Sequence, residues 1–460
     1  MYRLATPYCK EKKEAERYSR ECWASEKYTS LRDPTSYLWA IRSIVPFWMS
    51  SQEFRRGNNL WGGRGSHRAR GGWQGSSRAS ASTPQQLPRA DEPFGPRIDS
   101  FKAKELLIEE ESPEIEDVKY VGSYNWLNDS SPIILVPGSP PAWTPLAEDV
   151  KLPPDSEPVY RDVNAARYAA YPMEPAVRSV LAMQPQSELP FVDVFGCGST
   201  FGNLLRCARS QSKPFRFDVD VIGDTVFMVR REESPTEKIT DLQGYGHTFP
   251  EAYTSWDANV RNSTSHQRIV SYAFGGMQFF VRSETDAYLR DSSTGSTSLK
   301  TAQEEASIDN FLDTLGIDAR QPVDGAAVTL RKQGTPISQD DIFDIKTRAR
   351  SREYNMEEIL PRLWLNQTPN FLLAYHKSGM FTEPKVKSVR DSVLEWQKDN
   401  ANDLARFHAL VRRIVDVVRD SDGQQFEISW DGRGDLCITR QIAEGREALP
   451  IDLSVLWQSI

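Results

Sequence analysis

The chain is poor in cysteine, and the cysteines it has are far apart. The five are Cys9, Cys22, Cys197, Cys207 and Cys437. No two of them form a C-x-x-C pair, so the sequence indicates neither a structural zinc site nor a disulfide framework. A few scattered cysteines, odd in number, are typical of a protein from a reducing compartment.

Long apolar runs are missing as well. The nearest, LWAIRSIVPFWM at 38–49, is interrupted by Arg42 and Pro46 and falls short of the roughly 18 residues that a membrane-spanning helix needs. The N-terminal stretch MYRLATPYCKEKKEAERYSRE lacks the apolar core of a secretory signal. We therefore expect no membrane partner and no secretion, and a nuclear or cytoplasmic location.

Positive charge is not in excess over the whole chain. With 56 Lys and Arg against 64 Asp and Glu, the formal net charge is −8. That balance does not favour nucleic-acid binding over the entire surface, yet a local basic channel is enough to follow a phosphate backbone. A hydrophobic content of 39% with 26% charged residues is typical of a globular protein.

Residues 51–95 differ in composition from the rest of the chain. The stretch FRRGNNLWGGRGSHRARGGWQGSSRASASTPQQLP is rich in Gly, Arg and Ser, with Trp61 and Trp73 as isolated aromatics. Such a segment cannot bury enough apolar surface to offset its ordering entropy, so we predict that residues 1–95 are a mostly disordered tail. Its Arg-Gly pairs resemble RGG-type RNA-binding tails, and a solubilising linker explains them equally well.

From residue 96 onward the pattern predicts a single α+β domain, 96–460. Strand-type runs joined by glycine turns occur at 215–231, 267–289 and 425–441. Helical patterns occur at 307–316, 355–367 and 392–421. The last carries an apolar stripe, formed by Leu404, Phe407, Leu410, Val411, Ile414 and Val418. We expect curved mixed β-sheets flanked by helices, with an acidic surface excursion around 291–325.

The segment RSETDAYL (282–289) ends a long β-type run and places two carboxylates close together. If both lie on the strand, Glu284 and Asp286 point to the same face, because side chains alternate along a strand. Two carboxylates so placed repel each other unless a cation lies between them. An isolated E-x-D also fits the solvated end of a strand.

The segment QDDIFDIKTRAR (339–350) has two incompatible interpretations. Asp340, Asp341 and Asp344 spell D-D-x-x-D, the aspartate-rich signature of the all-α prenyl diphosphate synthases. Asp344 and Lys346 instead share one face of a strand, a carboxylate and an ammonium in the arrangement that hydrolytic nucleases use with a metal ion. No second aspartate-rich motif follows, and residues 190–290 are rich in strand patterns, so the second interpretation is favoured. An isolated D-x-K also fits a surface ion pair.

A further carboxylate lies upstream in GYGHTFPEAYTSWD (244–257). The spacing of Phe249, Tyr253 and Trp256 predicts a helix with Glu251 near its start. Glu251 would complete an oxygen-rich site for Mg²⁺ or Mn²⁺, which are hard cations that prefer carboxylates. His247 could be a ligand, although hydrogen bonding within a turn is favoured for it.

The order of these elements resembles that of the DXO/RAI decapping nucleases, relatives of the PD-(D/E)XK nucleases that act on incompletely capped RNA 5′ ends. That family shows G-x-x-x-E, then E-x-D on a strand, then E-x-K on the next. The matching segments are GHTFPE, one residue longer than the pattern, ETD and DIK. The segments NMEEILPRLWLNQTPNFLLAYHKSGMF and FEISWDGRGDLCIT resemble its Trp-x-x-Gln helix and closing hairpin. The likeness covers roughly 115–460 and is that of a divergent filamentous-fungal branch often labelled geranylgeranyl diphosphate synthase.

The resemblance implies roles for individual residues. The ligands that it implies for one or two Mg²⁺ or Mn²⁺ ions are Glu251, Glu284, Asp286, Asp344 and the carbonyl of Ile345. Lys346 would lie beside the attacked phosphorus, and Arg206 and Gln367 would contact the substrate. The implied partner is an RNA 5′ end, with a 5′-to-3′ exoribonuclease as a second candidate.

Two positions depart from the family pattern. Gly198, in GCGSTFGNLLR, stands where the family has an arginine that contacts the RNA 5′ phosphate, and Arg206 is the residue nearby that could compensate. Asp344 stands where the family has a glutamate. We therefore carry two hypotheses: a metal-dependent hydrolase of RNA 5′ ends, and a non-catalytic RNA-binding scaffold or exoribonuclease cofactor.

Overall fold

The computed structural model describes residue 89 and residues 91–108, 112–240, 242–290 and 328–459. The predictions made for the tail before residue 89, for the helix at 307–316 and for the acidic excursion around 291–325 lie outside these ranges. One compact unit, Ala79–Ile460, contains all of the described residues.

Strands occur in all parts of the chain that the structure describes from residue 97 to residue 440. The strands are β1 Arg97–Phe101, β2 Ile115–Leu127, β3 Ile133–Gly138, β4 Ala142–Trp143, β5 Val159–Tyr160, β6 Val194–Cys197, β7 Phe215–Ile222, β8 Thr225–Val229, β9 Lys238–Ile239, β10 Thr254–Ser255, β11 Ser263–Phe274, β12 Met277–Glu284, β13 Ala287–Tyr288, β14 Thr329–Gly334, β15 Ile342–Ala349, β16 Asn370–Lys377, β17 Met380–Phe381, β18 Lys387–Ser388, β19 Gln425–Trp430 and β20 Leu436–Arg440.

Helices connect and cover these strands. The α-helices are α1 Val163–Arg167, α2 Glu174–Met183, α3 Gly198–Ala208, α4 Thr248–Tyr253, α5 Leu360–Asn366, α6 Arg390–Asp399, α7 Ala401–Asp420 and α8 Ile451–Gln458. Short 3₁₀ helices lie at Ala103–Glu105, Gln186–Glu188, Ala258–Val260 and Met356–Glu358. None of the helices in these ranges is long and apolar enough to cross a membrane.

Two larger sheets and one small sheet organise the strands. The large sheet has 11 strands in the order β1-β20-β19-β7-β8-β6-β12-β11-β2-β3-β14. The second has the order β10-β4-β13-β15-β16-β17, with β18 also paired to β16, and β5 pairs with β9. Parallel pairs such as β6–β12 and β15–β16 lie beside antiparallel ones. The fold is therefore α+β with mixed sheets, as the sequence predicts.

The three predicted hairpins are present at the predicted places. Strands β7 and β8 pair up to Ile222 and Thr225 around a turn at Gly223, where φ is +60°. Strands β11 and β12 pair around Gly275 and Gly276, and β19 pairs with β20. Glycine adopts a positive φ in a tight turn without steric cost. The glycines between the strand patterns therefore located these turns correctly.

The large sheet is buried on both faces. On β12, Phe279 enters the cluster that packs against α3, α5 and α7, whereas Phe280 enters the cluster that packs against α2 and α8. Adjacent residues reach opposite layers because side chains alternate along a strand. The apolar stripe predicted for 392–421 lies on α7 and is buried in the first layer. Its helical segment is divided in two at Asn400, where α6 ends and α7 begins.

The D-D-x-x-D interpretation is wrong for this fold. A prenyl diphosphate synthase needs that motif on a helix of an all-α protein, but Asp340 and Asp341 precede a strand, β15, and the described residues form sheets. Asp340 is exposed and pairs with Arg390. Its match to the motif is therefore a coincidence of spacing.

Candidate active site

The carboxylates of E-x-D lie where the chain passes from the large sheet to the second one. Glu284 is the last residue of β12, and the amide of Thr285 still donates to the carbonyl of His266 on β11, at 3.0 Å. Asp286 lies beyond the strand, immediately before β13. The prediction that both carboxylates lie on one strand is therefore wrong for Asp286, since β13 starts a different sheet.

Asp286 joins the E-x-D and D-x-K segments. Its Oδ2 accepts a hydrogen bond from the backbone N–H of Ile345 on β15, at 2.7 Å. Ile345 stands between Asp344 and Lys346, so this bond fixes the carboxylate of Asp286 beside both. Two segments separated by more than fifty residues in sequence thus meet at the junction of the sheets.

Asp344 is a buried carboxylate whose partner is an arginine from another element. It is 1% exposed, and within the described ranges neither of its oxygens accepts a hydrogen bond. The Nε of Arg362, on helix α5, lies 3.1 Å from its Oδ2. The Asp344 side chain is 2% exposed and that of Arg362 is 50% exposed, so the pair extends from the core to the surface of a cleft.

Burial raises the pKa values of the three carboxylates. Burial, followed by the charge of Asp286, raises the pKa of Glu284 to about 7. Burial also raises the pKa of Asp344, against the lowering effect of Arg362. Glu284 is nevertheless exposed to solvent at the end of β12. A side chain that is reached by water and still desolvated by protein on most sides lies in a cleft, where a cation would be stabilised.

Cationic side chains lie on the open side of this cluster. Burial raises the pKa of Asp286, whereas Arg362, the Ile345 amide, His247 and Lys346 lower it, in that order of size. Lys346 is exposed. The predicted neighbourhood of Asp286, Asp344 and Lys346 is thus present in the structure.

Glu251 lies on a neighbouring helix that is anchored by a distant residue. The carboxylate of Asp155 accepts from the backbone N–H of Gly246 at 2.7 Å and of Thr248 at 2.9 Å, at the start of helix α4. Phe249 and Tyr253 pack the helix onto the second sheet. Glu251 itself is exposed, and it is not among the charges with the largest effects on Glu284, Asp286 or Asp344. Its part in a metal site stays a prediction.

The two residues predicted to contact the substrate make hydrogen bonds within their own helices. Arg206 is on helix α3, where it donates to Asn203 on the same helix, while its Nε has no partner in the described ranges. Gln367 ends helix α5 in a left-handed conformation with φ at +52°, and its amide donates back to the carbonyl of Trp364. Both roles remain predictions.

The side chain of Asn366 covers Gly198. A Cβ added to Gly198 would lie 2.1 Å from Oδ1 of Asn366, much closer than two atoms can pack. Asn366 is 5% exposed and belongs to helix α5. A larger residue at 198 would require the buried amide of Asn366 to move, and in the described ranges no hydrogen bond holds the Oδ1 of that amide.

Arg282 is a buried cation on β12, the strand that ends at Glu284. It lies two residues before Glu284 and donates to the carbonyl of Pro172 at 3.1 Å. Burial would raise the pKa of Cys197, but Arg282 and Arg230 lower it below its usual value. The Nε of Arg230 lies 3.9 Å from Asp162, and the charge of Asp162 contributes to raising the pKa of Glu284.

A family model matches residues 112–432, which is well over half of the chain, and its description is "Domain of unknown function (DUF8563)". The chain belongs to the DUF8563 family. No curated protein matches it. All of the carboxylates described above lie within the matched region of this DUF8563 chain.

Solved structures similar to this DUF8563 chain are Rai1 proteins. Scheffersomyces stipitis Rai1 aligns with a TM-score of 0.52 at 10% identity over 80% of this chain and 100% of that one. The same protein in complex with (3′-NADP)⁺ and calcium ion has a TM-score of 0.51 at 10% identity, with the same coverage. Candida albicans Rai1 in complex with pU5-Mn²⁺ has a TM-score of 0.50 at 10% identity over 78% and 98%. At such identities the likeness shows the fold alone: the DUF8563 chain has the fold of the Rai1 decapping-nuclease structures.

Two residues near the carboxylates were missed from the sequence. Arg362 lies in a segment identified as a helix, but nothing in the local pattern LPRLWLN says that it meets Asp344. Gln267 pairs in register with Glu284 across β11 and β12, is 3% exposed, and its Nε2 has no partner in the described ranges. Neither residue stands in a motif, and only the pairing of distant strands and helices brings them to the cleft.

The residues present fit a divalent cation by their chemistry. Asp344 offers two buried oxygens without hydrogen bonds, and Glu284 and Asp286 add hard oxygen donors beside it. As they stand, no three His, Cys, Asp or Glu side chains of the described ranges are arranged to hold a metal ion. The guanidinium of Arg362 lies against Asp344 instead, so the carboxylates would have to draw together around an ion.

Proposed function

We propose that this protein is a divalent-metal-dependent hydrolase that acts on RNA 5′ ends. The reaction would remove incomplete or non-standard caps or pyrophosphate, with 5′-to-3′ exonucleolytic cleavage as a further activity. The observation that carries the proposal is the meeting of Glu284, Asp286 and Asp344 with Lys346 at the junction of two sheets. That set combines metal-binding oxygens with a cation beside them, which phosphate hydrolysis requires.

Mg²⁺ or Mn²⁺ is the proposed cofactor. Its ligands would be Glu284, Asp286 and Asp344, joined by Glu251 and the carbonyl of Ile345. When bound, the ion would polarise a phosphate and lower the pKa of a water molecule. The amide of Ile345 holds the carboxylate of Asp286 in place, and Lys346 would contact the attacked phosphate with its ammonium group.

The fold supports this proposal through the ligands of its relatives. The Candida albicans Rai1 structure contains pU5 and Mn²⁺, and one Scheffersomyces stipitis Rai1 structure contains (3′-NADP)⁺ and calcium ion. Nucleotides and divalent cations therefore bind to proteins of this fold. For this chain we propose an RNA 5′ end as the substrate, with contacts from Arg206 and Gln367.

We further propose a place for this hydrolase in the cell. It would take part in RNA quality control in the nucleus or cytoplasm, with a 5′-to-3′ exoribonuclease as partner, and belong to a filamentous-fungal branch of the decapping nucleases. Residues 96–460 would form its catalytic domain, and residues 1–95 an Arg- and Gly-rich tail that binds RNA or solubilises the chain.

A non-catalytic RNA-binding scaffold is the second candidate. It is favoured by Gly198, which stands where the resemblance places an arginine and is covered by Asn366, and by the exposed position of Glu251. In that case the carboxylates would have a structural role, and RNA would bind without being cleaved.

Hydrolysis of 5′-triphosphorylated RNA with and without Mn²⁺ separates the two candidates. We expect product only with the metal ion, and a loss of at least about 100-fold in rate for Asp344→Asn, because removing one of a few groups that stabilise the transition state costs roughly this much. Asp340→Asn, four residues away and exposed, should keep the full rate.

Absence of product from the wild-type protein, together with unchanged RNA binding by a Glu284→Ala/Asp286→Ala double variant, would establish the scaffold instead. Equal losses in Asp344→Asn and Asp340→Asn would also contradict the proposed role of Asp344.

A further inference from the structure

Arg362 has a partner on one side and open space on the other. Its Nε lies 3.1 Å from Oδ2 of Asp344, and half of its side chain surface is exposed. No hydrogen bond joins its two terminal nitrogens to the described parts of the chain. A guanidinium carries five N–H donors in a planar fork that matches the oxygens of a phosphate. Arg362 therefore has unused donors at the mouth of the cleft.

Helix α5 supplies both this arginine and the side chain that occupies the space over Gly198. Arg362 and Asn366 are four residues apart on that helix, so they project from neighbouring positions of one face. Asn366 would collide with any side chain at 198. Arg206 donates to Asn203 within its own helix. Among the described residues, Arg362 is thus the arginine in direct contact with the carboxylate cluster.

The charge balance of the cluster allows an exchange of partners. Asp344, Asp286 and Glu284 all act on Arg362, with Asp344 the strongest. One positive charge cannot neutralise three carboxylates, whereas a divalent cation attracts them more strongly and repels the guanidinium. Once an ion binds, the contact between Arg362 and Asp344 weakens, and the exposed end of Arg362 can turn to an anion.

We propose that Arg362 binds the 5′ phosphate of the RNA substrate, and that a divalent cation releases it for this role by replacing it against Asp344. The inference rests on the proposed function. It assigns the phosphate contact to helix α5. On helix α3, the position where the resemblance places an arginine is occupied by Gly198.

Metal binding tests the first half of the exchange. In a calorimetric titration with Mn²⁺, Arg362→Gln should bind the ion about tenfold more tightly than the wild type, because a competing charge a few ångströms from the site is gone and 1.4 kcal/mol corresponds to a factor of ten. The matched control is Arg390→Gln: the Arg390 side chain is 53% exposed and pairs with Asp340, and its variant should bind Mn²⁺ as the wild type does. If Arg362→Gln binds Mn²⁺ no more tightly than the wild type, or if Arg390→Gln shows the same gain in affinity, the proposed exchange of Arg362 for the cation is wrong.

RNA binding tests the second half. With Ca²⁺ added, fluorescence anisotropy is measured on a uridine pentanucleotide with a 5′ phosphate and on the same oligonucleotide with a 5′ hydroxyl. Arg362→Gln should bind the phosphorylated RNA with about tenfold lower affinity than the wild type, and the 5′-hydroxyl RNA with nearly the same affinity. This pattern is consistent with the loss of one charge-assisted contact to the phosphate. Arg362→Lys keeps the positive charge but not the planar guanidinium. Its affinity for the phosphorylated RNA should lie between those of the wild type and Arg362→Gln. Equal losses on both RNAs would overturn the assignment.

The outcomes separate this inference from the proposed function. If the wild-type protein binds neither Mn²⁺ nor RNA, both are wrong. If the wild type binds Mn²⁺ and hydrolyses RNA, but Arg362→Gln behaves like Arg390→Gln throughout, the proposed function stands and the role of Arg362 alone is wrong.

Discussion

Asp220 is a buried carboxylic acid whose protonation is coupled to folding. It lies on β7, is 6% exposed, and accepts a hydrogen bond from the amide of Ala448 at 2.7 Å. Burial is the main cause that raises its pKa from 3.8 to about 6. Between these two values the folded protein holds the proton more firmly than the unfolded chain does. The free energy of unfolding therefore falls as the pH rises through this window.

Asp220→Asn should remove this dependence. We expect the variant to gain stability relative to the wild type as the pH rises from 4 to 7, by at most roughly 3 kcal/mol, since one pKa unit corresponds to about 1.4 kcal/mol. Urea unfolding at several pH values measures the difference. Asp224→Asn, in the exposed turn after β7, is the control. If both variants follow the wild-type pH profile, Asp220 is not the group responsible.

The positions of individual site residues could be predicted from the sequence where the side-chain alternation of a regular strand determines which face they lie on. Asp344 and Lys346 share a face because β15 is regular over their positions, and the spacing of two shows this directly. The same argument failed for Asp286, because the strand stops at Glu284 and the next residues join another sheet. Arg362 could not be predicted at all, since only the tertiary packing of helix α5 brings it to Asp344.

Helix α4 is a six-residue element that depends on a residue outside it. A helix this short has little stability of its own, and the amides of its first turn lack partners within it. Asp155, more than ninety residues earlier, accepts from the amides of Gly246, His247 and Thr248. It therefore holds the element that carries Glu251.

Asp155→Ala should loosen this helix. We expect the amides of residues 246–253 to exchange with solvent about fivefold faster, which corresponds to the roughly 1 kcal/mol that a helix cap contributes. Hydrogen exchange followed by mass spectrometry measures this. Asp129→Ala, which removes a similar bond to the amide of Ser131 in an exposed turn, should leave the helix unchanged. A similar effect of both substitutions would argue against the anchoring role.

Elements closed by local turns were the easiest to predict. The β7–β8, β11–β12 and β19–β20 hairpins each follow from strand patterns on both sides of a glycine turn. Helix α7 follows from its apolar stripe, whose buried side faces the large sheet. The break at Asn400 was not predicted, although the apolar spacing is interrupted there by the polar-rich run QKDNAND between Trp396 and Leu404.

The order of strands across the whole molecule could not be predicted in the same way. Strand β1 pairs with β20, and β14 pairs in parallel with β3, so the edges of the large sheet join parts of the chain that are distant in sequence. Local patterns contain no information about such pairings.

The N-terminal limit of the folded unit can be tested by truncation. Arg89 is 2% exposed and its Nη2 lies 2.9 Å from Asp218, while Arg216 donates to the carbonyls of Arg89 and Glu92 at 2.8 Å each. A chain that starts at residue 79 keeps these contacts, and one that starts at the predicted domain limit, residue 96, loses them.

We expect the chain that starts at residue 79 to unfold in urea at the same midpoint as the full-length protein. The chain that starts at residue 96 should lose about 3 kcal/mol, because Asp218 loses one of its three arginine partners and the buried guanidinium of Arg216 loses two carbonyl acceptors. Arg89→Ala in the full-length chain is the matched control and should show only the part of the loss that comes from the ion pair with Asp218. Equal stability of both truncated chains would mean that residues 79–95 contribute nothing to folding.

The central claim is that the cleft between the two sheets binds a divalent cation through its three carboxylates. Anomalous diffraction from crystals of the full-length protein soaked in Mn²⁺ tests this most directly. The account predicts a peak among the carboxylates of Glu284, Asp286 and Asp344, with the guanidinium of Arg362 withdrawn from Asp344. A map with no peak in this cleft at saturating Mn²⁺, and with Arg362 still against Asp344, would contradict it.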